Sequence, residues 1–137
     1  MNLCGAVMRQ RCPSASFVCN ARLIEHRFII TTRGVSSIVP ALGSVVHGAL
    51  WKLTCADEQA LDAFEGAPIF YRQRRVTVET PIAGCVVAFA YVATNSQIGR
   101  PRPGYLDAVL AGAIERELPN NYIGEIASWS APRMSAA

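Results

Sequence analysis

Strand-like segments joined by short turns constrain the fold of this chain more than any other feature. They cover residues 22–32, 36–39, 45–53, 70–79 and 85–93. β-Branched and aromatic residues favour strands, and glycine or proline closes these segments, as at Gly34, Pro40 and Pro81. Strands that follow one another through turns argue against a doubly wound parallel sheet. We therefore expect an α+β fold with a mixed or closed sheet and helices at its edges.

The clearest helix lies between the third and fourth of these segments. Thr54 can cap its N-terminus, and Asp57 and Glu58 suit the positive end of the helix dipole. Gly66 and then Pro68 end it in the usual way. The pattern thus predicts a helix that begins just after Thr54 and ends just before Gly66.

Further helices are expected at residues 3–9, 104–118 and 120–129. The second of them is amphipathic, with an apolar face made of Leu106, Val109, Leu110, Ala113 and Ile114. A chain of 137 residues suffices for one domain with one core. We place that domain at residues 1–130 and expect a disordered tail at residues 131–137.

Composition excludes several classes of protein. Thirteen Lys and Arg against ten Asp and Glu give a net charge of +3, and the basic residues are scattered, so no nucleic-acid partner is expected. No signal peptide is visible, and the longest apolar run, residues 85–93, is shorter than the ~20 residues of a spanning helix. We expect a soluble, cytoplasmic protein with no membrane contact. Five cysteines without a Cys-x-x-Cys pair and two isolated histidines predict buried thiols and no metal site.

Short motifs in a fixed order span most of the chain. They are Arg11-Cys12-Pro13, Ala21-Arg22-Leu23, Arg27-Phe28, Ser37-Ile38-Val39-Pro40, residues 46–53 (VHGALWKL), Leu61-Asp62-Ala63-Phe64-Glu65-Gly66, Tyr71-Arg72, Tyr91-Val92, Pro103-Gly104-Tyr105-Leu106, Gly112-Ala113 and Leu118-Pro119-Asn120-Asn121-Tyr122. In this order and spacing the chain resembles the gamma-glutamylcyclotransferase-like family, which includes the AIG2-like proteins.

The resemblance implies a small mixed β-barrel with flanking helices and a cavity at one end. It also implies a reaction, the cyclisation of a γ-glutamyl group to 5-oxoproline with release of an amine, amino acid or peptide. Glu65 would be the residue that transfers protons. No cofactor and no metal are implied.

The start of the chain departs from the family pattern. Family members open with a strand that runs into a Tyr-Gly-Ser-Asn type loop, whose backbone N–H groups hold the glutamyl carboxylate and carbonyl. Here only Asn2 can match the end of that loop, so the first strand is expected to be missing. Either the true start lies upstream or this is a degenerate member. The alternative function is therefore a non-catalytic small-molecule-binding or regulatory domain, and an unpaired sheet edge would favour self-association.

Independent chemistry supports Glu65 as a candidate catalytic residue. Cyclisation requires that a substrate nitrogen lose a proton and that the leaving amine gain one, and a single carboxyl group can do both. The C-terminal end of a helix and the apolar neighbours Phe64, Ala67 and Pro68 both favour the protonated carboxyl. The alternative is an ordinary solvated glutamate at a helix end.

Tyrosines and arginines supply the remaining candidates. The resemblance favours Tyr71 and Tyr122 over Tyr105 as substrate-binding hydroxyls, and the alternative is that each anchors a strand or helix as a half-buried aromatic residue. Arg11 and Arg27 can reach a substrate carboxylate, but ordinary ion pairs at the surface or at a helix end explain them better. Asp62 is expected at the surface or beside a backbone group.

Overall fold

A computed structural model describes residues 3–130 and shows an α+β fold. The elements in chain order are helix α1 (Gly5–Arg11), strands β1 (Ser16–Ile30) and β2 (Ser36–Lys52), helix α2 (Cys55–Glu65), strands β3 (Tyr71–Thr80) and β4 (Gly84–Ala93), helices α3 (Tyr105–Glu115) and α4 (Asn120–Ala127), and a 3₁₀ turn (Ser128–Ser130). The predicted fold class, with helices around a sheet, is confirmed.

The sheet consists of two antiparallel hairpins, and its strand order is β2-β1-β3-β4. β1 and β2 pair along almost their whole length, and so do β3 and β4. The hairpins meet at the pair Arg22 and Glu79, whose side chains also form an ion pair. All of these pairings are antiparallel, and within residues 3–130 no backbone ladder closes the sheet into a barrel.

The two edge strands nevertheless approach each other at one end of the sheet. The backbone N–H of Ala93, the last residue of β4, donates to the Oγ of Ser37 on β2 at 2.9 Å. The hydroxyl of Tyr71, the first residue of β3, donates to the carbonyl of Ser36 at 2.7 Å. Side-chain hydrogen bonds thus join the two hairpins at this end, where no backbone ladder within the described residues pairs β2 with β4.

β2 differs from the prediction. Residues 36–39 and 45–53 were expected as separate strands, but they form one strand that pairs with β1 on both sides of an interruption. Residues 41–44 loop out there opposite Glu25, which has a positive φ of 60°. The N–H of Gly43 donates to the Glu25 carboxylate at 2.9 Å, so a local side-chain contact holds the bulge.

Two hydrophobic clusters attach the helices. The larger one packs α3 and α4 on β1 and comprises Phe28, Ile30, Leu106, Val109, Ala113, Leu118, Tyr122 and Ile126. The smaller one packs α1 against α2 through Met8, Cys12 and Leu61. Ile114, which was expected to face inward, is 62% exposed, because the buried face of α3 follows the spacing Leu106, Val109 and Ala113.

The cysteines only partly follow the prediction. Cys12 and Cys19 are buried, as expected of thiols in a packed interior, and Cys4 is half-buried. Cys55 and Cys85 are exposed, because they lie at the start of α2 and of β4, where the chain has just left a turn. The prediction of buried thiols is therefore wrong for these two residues.

Candidate active site

Helix α2 fixes the position of Glu65 at both of its ends. At the start, the Thr54 hydroxyl accepts from the Asp57 N–H, and the Asp57 carboxylate accepts from the Thr54 N–H, each at 3.2 Å. The other oxygen of Asp57 accepts from the N–H of Ser14 at 3.3 Å, which ties the helix to the segment after α1. Glu65 is the last helical residue and precedes Gly66, which has a positive φ of 66°. The predicted helix boundaries are confirmed.

Gly66 then turns the chain directly into β3. Its carbonyl accepts from the N–H groups of Ile69 and Phe70, both at 2.9 Å. A Cβ at position 66 would lie 2.7 Å from a ring carbon of Phe70, so the tight turn requires glycine for its contacts as well as for its φ angle. This turn brings Glu65 and Tyr71 into the same part of the molecule.

A large open cavity lies against this region. Its volume is about 1210 Å³, and the tyrosines Tyr71, Tyr91, Tyr105 and Tyr122 line it together with Glu65 and Arg11. The Glu65 side chain is 17% exposed, so its carboxylate is largely removed from water. The cavity therefore offers a partly buried carboxylate and several hydroxyl groups to a small molecule.

Arg11, the last residue of α1, is the charged partner of Glu65. The two side chains approach to 3.9 Å between Nη1 and Oε1, and the guanidinium also lies 5.0 Å from the centre of the Phe64 ring. The guanidinium of Arg11 therefore places a positive charge next to the Glu65 carboxyl group.

Tyr71 is buried and lines the same cavity as Glu65. Burial raises the pKa of Tyr71, and the proximity of Tyr105 and Glu65 raises it further. Its hydroxyl therefore keeps its proton and donates to the Ser36 carbonyl. The hydroxyl of Tyr105 accepts from the backbone N–H of Ser36 at 3.0 Å and forms a second hydrogen bond with the Oγ of Ser36 at 2.8 Å. Ser36 thus holds both tyrosines in the cavity wall.

Tyr91 also lines the cavity, although the sequence indicated it only through the Tyr91-Val92 motif of the family resemblance. Its hydroxyl donates to Asp62 at 2.5 Å, and the amide of Gln73 donates to the same carboxylate oxygen at 2.8 Å. Burial and then the hydrogen bond to Asp62 raise the pKa of Tyr91, and the charge of Glu65 adds to this. Asp62 was expected at the surface or beside a backbone group. It instead accepts from two side chains, because β3 and β4 pair Gln73 directly opposite Tyr91.

Tyr122 has a different environment. It is 4% exposed and belongs to the larger hydrophobic cluster, and its ring lies 5.1 Å from the ring of His47. Burial raises the pKa of Tyr122, and nearby Glu125 adds to this. Tyr122 contributes to the cavity wall, but its contacts in the described region are those of a residue that anchors α4 on the sheet.

The other predicted candidates are distributed as follows. Asn2 lies outside the described residues. Arg27 is on β1 and is not among the residues that line the cavity. Within residues 3–130 no three His, Cys, Asp or Glu side chains gather as a metal site would require. In the same part of the chain, no helix is long and apolar enough to cross a membrane.

Comparisons with known proteins place this fold and cavity in a family. The model of the AIG2-like family matches residues 45–126, which is more than half of the 137 residues. The chain belongs to the AIG2-like family. The matched part of this AIG2-like chain includes Glu65, Tyr71, Tyr91 and Tyr122, and the family resemblance predicted from the sequence is confirmed.

Individual relatives of this AIG2-like protein carry the name gamma-glutamylcyclotransferase. The human protein of that name is 29% identical over 132 residues, and the match covers 88% of this chain and 70% of the relative. The mouse protein is 27% identical with the same coverage. A solved structure described as gamma-glutamyl cyclotransferase superposes with a TM-score of 0.86 at 25% identity, covering 99% of this chain and 87% of that chain.

Proposed function

We propose that this AIG2-like protein is a cyclotransferase that releases 5-oxoproline from a γ-glutamyl amine, amino acid or peptide. The observation that carries the proposal is the largely buried carboxylate of Glu65 in a cavity of about 1210 Å³. Arg11 lies 3.9 Å from that carboxylate, and Tyr71 and Tyr91 line the same cavity. The names of the relatives point to the same reaction.

The proposed reaction needs only proton transfer and correct orientation. The α-nitrogen of the γ-glutamyl group attacks its own γ-carbonyl carbon, a carbon–nitrogen bond forms, and the bond to the leaving nitrogen breaks. Two protons pass overall from the α-ammonium to the leaving nitrogen, which departs as an ammonium ion, so no co-reactant is consumed. Glu65 accepts a proton before the attack and returns it to the leaving nitrogen.

The surroundings of Glu65 suit this role. Arg11 places a positive charge 3.9 Å from the carboxyl group, and both residues line the cavity. Tyr71 and Tyr91 keep their protons, as their raised pKa values indicate, so neither hydroxyl competes for the transferred proton.

The decisive experiment is a turnover assay on matched variants. The purified protein is incubated with γ-glutamyl amino acids, γ-glutamyl-ε-lysine and glutathione, and 5-oxoproline is measured by mass spectrometry. Glu65→Gln keeps the shape of the side chain but cannot carry a proton, so we expect kcat to fall by ~10²–10⁴-fold. Glu58→Gln is the control, because Glu58 lies on the same helix, outside the cavity lining. Thermal unfolding verifies that both variants fold.

The assay separates the two functions that the sequence left open. Turnover by wild type and Glu58→Gln but not by Glu65→Gln would support the enzyme and its proton carrier, and the best substrate would identify the leaving group. Full activity in Glu65→Gln would refute the mechanism. A folded wild-type protein that binds these compounds without product would support a non-catalytic binding domain.

A further inference from the structure

Two arginines that the proposed reaction does not use lie together in the cavity wall. Arg33 follows β1 in the β1–β2 turn, Arg102 lies in the loop before α3, and both line the cavity that contains Glu65. The Nε of Arg102 donates to the backbone carbonyl of Arg33 at 2.6 Å. This hydrogen bond brings the Arg102 side chain against the turn that carries Arg33.

Backbone contacts fix this arrangement before any ligand binds. The N–H of Arg102 donates to the carbonyl of Gly34 at 3.0 Å. Gly34 has a φ of 78°, and a Cβ there would lie 2.5 Å from Cγ of Arg102, so only glycine permits this packing. Close by, the N–H of Gly99 donates to the carbonyl of Ile30 at 2.9 Å. The loop is thus attached to the turn by its main chain.

Neither arginine has a carboxylate partner within residues 3–130. Arg11 and Arg22 form ion pairs with Glu65 and Glu79, but no such pair is formed by Arg33 or Arg102. Arg33 instead stacks on the Phe70 ring, with 3.9 Å between its guanidinium carbon and the ring centre. A stacked guanidinium still presents the N–H groups of its edge, and two neighbouring cations without an anion favour binding of one.

We propose that Arg33 and Arg102 form a carboxylate-binding subsite beside Tyr71 for the substrate of the reaction. The proposal rests on the proposed function. A guanidinium donates two parallel hydrogen bonds to a carboxylate, a geometry that an ammonium group cannot offer. A γ-glutamyl amino acid has two carboxylates, one on the glutamyl group and one on the leaving group. A γ-glutamyl alkylamine has only the first.

The test uses two substrates that differ in a single carboxylate, γ-glutamyl-alanine and γ-glutamyl-ethylamine. Arg33→Gln and Arg102→Gln are expected to raise KM by ~10–100-fold with a smaller change in kcat, equivalent to ~1.4–2.8 kcal/mol. An increase for γ-glutamyl-alanine alone assigns the subsite to the leaving-group carboxylate. An equal increase for both substrates assigns it to the glutamyl carboxylate.

Arg100→Gln is the matched control. Arg100 is an exposed residue of the same loop that does not line the cavity, so its replacement changes the net charge equally and leaves the subsite intact. Unchanged KM values in both subsite variants would overturn the proposal. An increase in Arg100→Gln as large as theirs would overturn it as well, because overall charge would then explain the effect.

A binding measurement keeps this inference separate from the proposed reaction. Calorimetric titration of the same two compounds into Glu65→Gln protein, with and without the arginine substitutions, needs no turnover. Binding of γ-glutamyl-alanine weakened ~10–100-fold by the substitutions, together with no turnover by the wild-type protein, would support the subsite while refuting the enzyme. Turnover whose KM the arginine substitutions leave unchanged would support the enzyme while refuting the subsite. If a Gln variant fails to fold, Arg33→Lys and Arg102→Lys keep the charge but lack the two parallel donors, so we expect a KM above that of wild type.

Discussion

The capping carboxylate of Asp57 offers a sharp test of how α2 is held in place. Asp57 is 3% exposed, and its oxygens accept from the N–H groups of Thr54 and Ser14 at 3.2 and 3.3 Å. In the isosteric variant Asp57→Asn, one of those oxygens becomes an NH₂ group. That group faces an N–H that it cannot accept from, so one of the two hydrogen bonds is lost whichever way the amide turns.

The size of the effect follows from these contacts. A hydrogen bond to a charged acceptor contributes ~1.5–3 kcal/mol to the free energy of unfolding. The loss of a negative charge from the first turn of the helix removes a further ~0.3–1 kcal/mol. We therefore expect Asp57→Asn to reduce the free energy of unfolding by ~2–4 kcal/mol, a large fraction of the ~5–15 kcal/mol of an ordinary domain.

Urea unfolding followed by circular dichroism measures this loss. With a slope of ~2 kcal/mol per molar urea, the midpoint should fall by ~1–2 M without a change of slope. Glu58→Gln, the adjacent residue of the same turn, should shift the midpoint by less than ~0.5 M, because the Glu58 side chain accepts its hydrogen bond from the exposed amide of Gln73. Equal shifts in the two variants would show that helix-dipole charge, and not the buried hydrogen bonds, is what Asp57 contributes.

The remaining predictions concern the site, pH and assembly. Tyr91→Phe should lower kcat by ~10–100-fold, because the cavity that contains Glu65 loses a hydroxyl group. The loss of stability should be small, because Gln73 still donates to Asp62. A kcat equal to that of wild type would contradict this prediction. Burial, and then the charge of Arg22, lower the pKa of His47 below 6.5, so the unfolded chain binds a proton at a higher pH than the folded protein does. The free energy of unfolding should therefore fall as the pH drops below 6.5. Urea midpoints at pH 7.5 and pH 5.5 should differ less in His47→Gln than in wild type. The edge strands β2 and β4 should permit self-association that sedimentation equilibrium detects as a mass rising with concentration, whereas a constant monomer mass would exclude it.

Local chemistry explains which parts of the fold could be predicted. The ends of α2 follow from residues within one turn of each end, namely the capping pair Thr54 and Asp57 and the positive φ of Gly66. The continuity of β2 could not be predicted in this way, because Pro40 and Gly43 are ordinary strand terminators. Only the pairing with β1, with Glu25 opposite the bulge, shows that the strand resumes.

The same distinction applies to the candidate site. Glu65 and Tyr71 are six residues apart and are joined by one tight turn, so a short motif was enough to place them together. Tyr91 reaches the site through the register of β3 and β4, and Arg102 through the docking of its loop on the β1–β2 turn. Neither the strand register nor the docking of the loop can be recognised from nearby residues in the sequence. Tyr122 is the opposite case, because it belongs to a recognisable motif and yet that motif did not indicate its burial in the larger hydrophobic cluster.

The pairing of Glu65 with Arg11 makes the geometry of the candidate site depend on two helices. Arg11 is the last residue of α1, Glu65 is the last residue of α2, and their side chains approach to 3.9 Å between Nη1 and Oε1. The two helices pack on each other through Met8, Cys12 and Leu61, so that small cluster fixes the distance between the guanidinium and the carboxyl group. If Glu65 transfers protons as we propose, its function depends on the packing of α1 against α2 as much as on the residues that face the cavity.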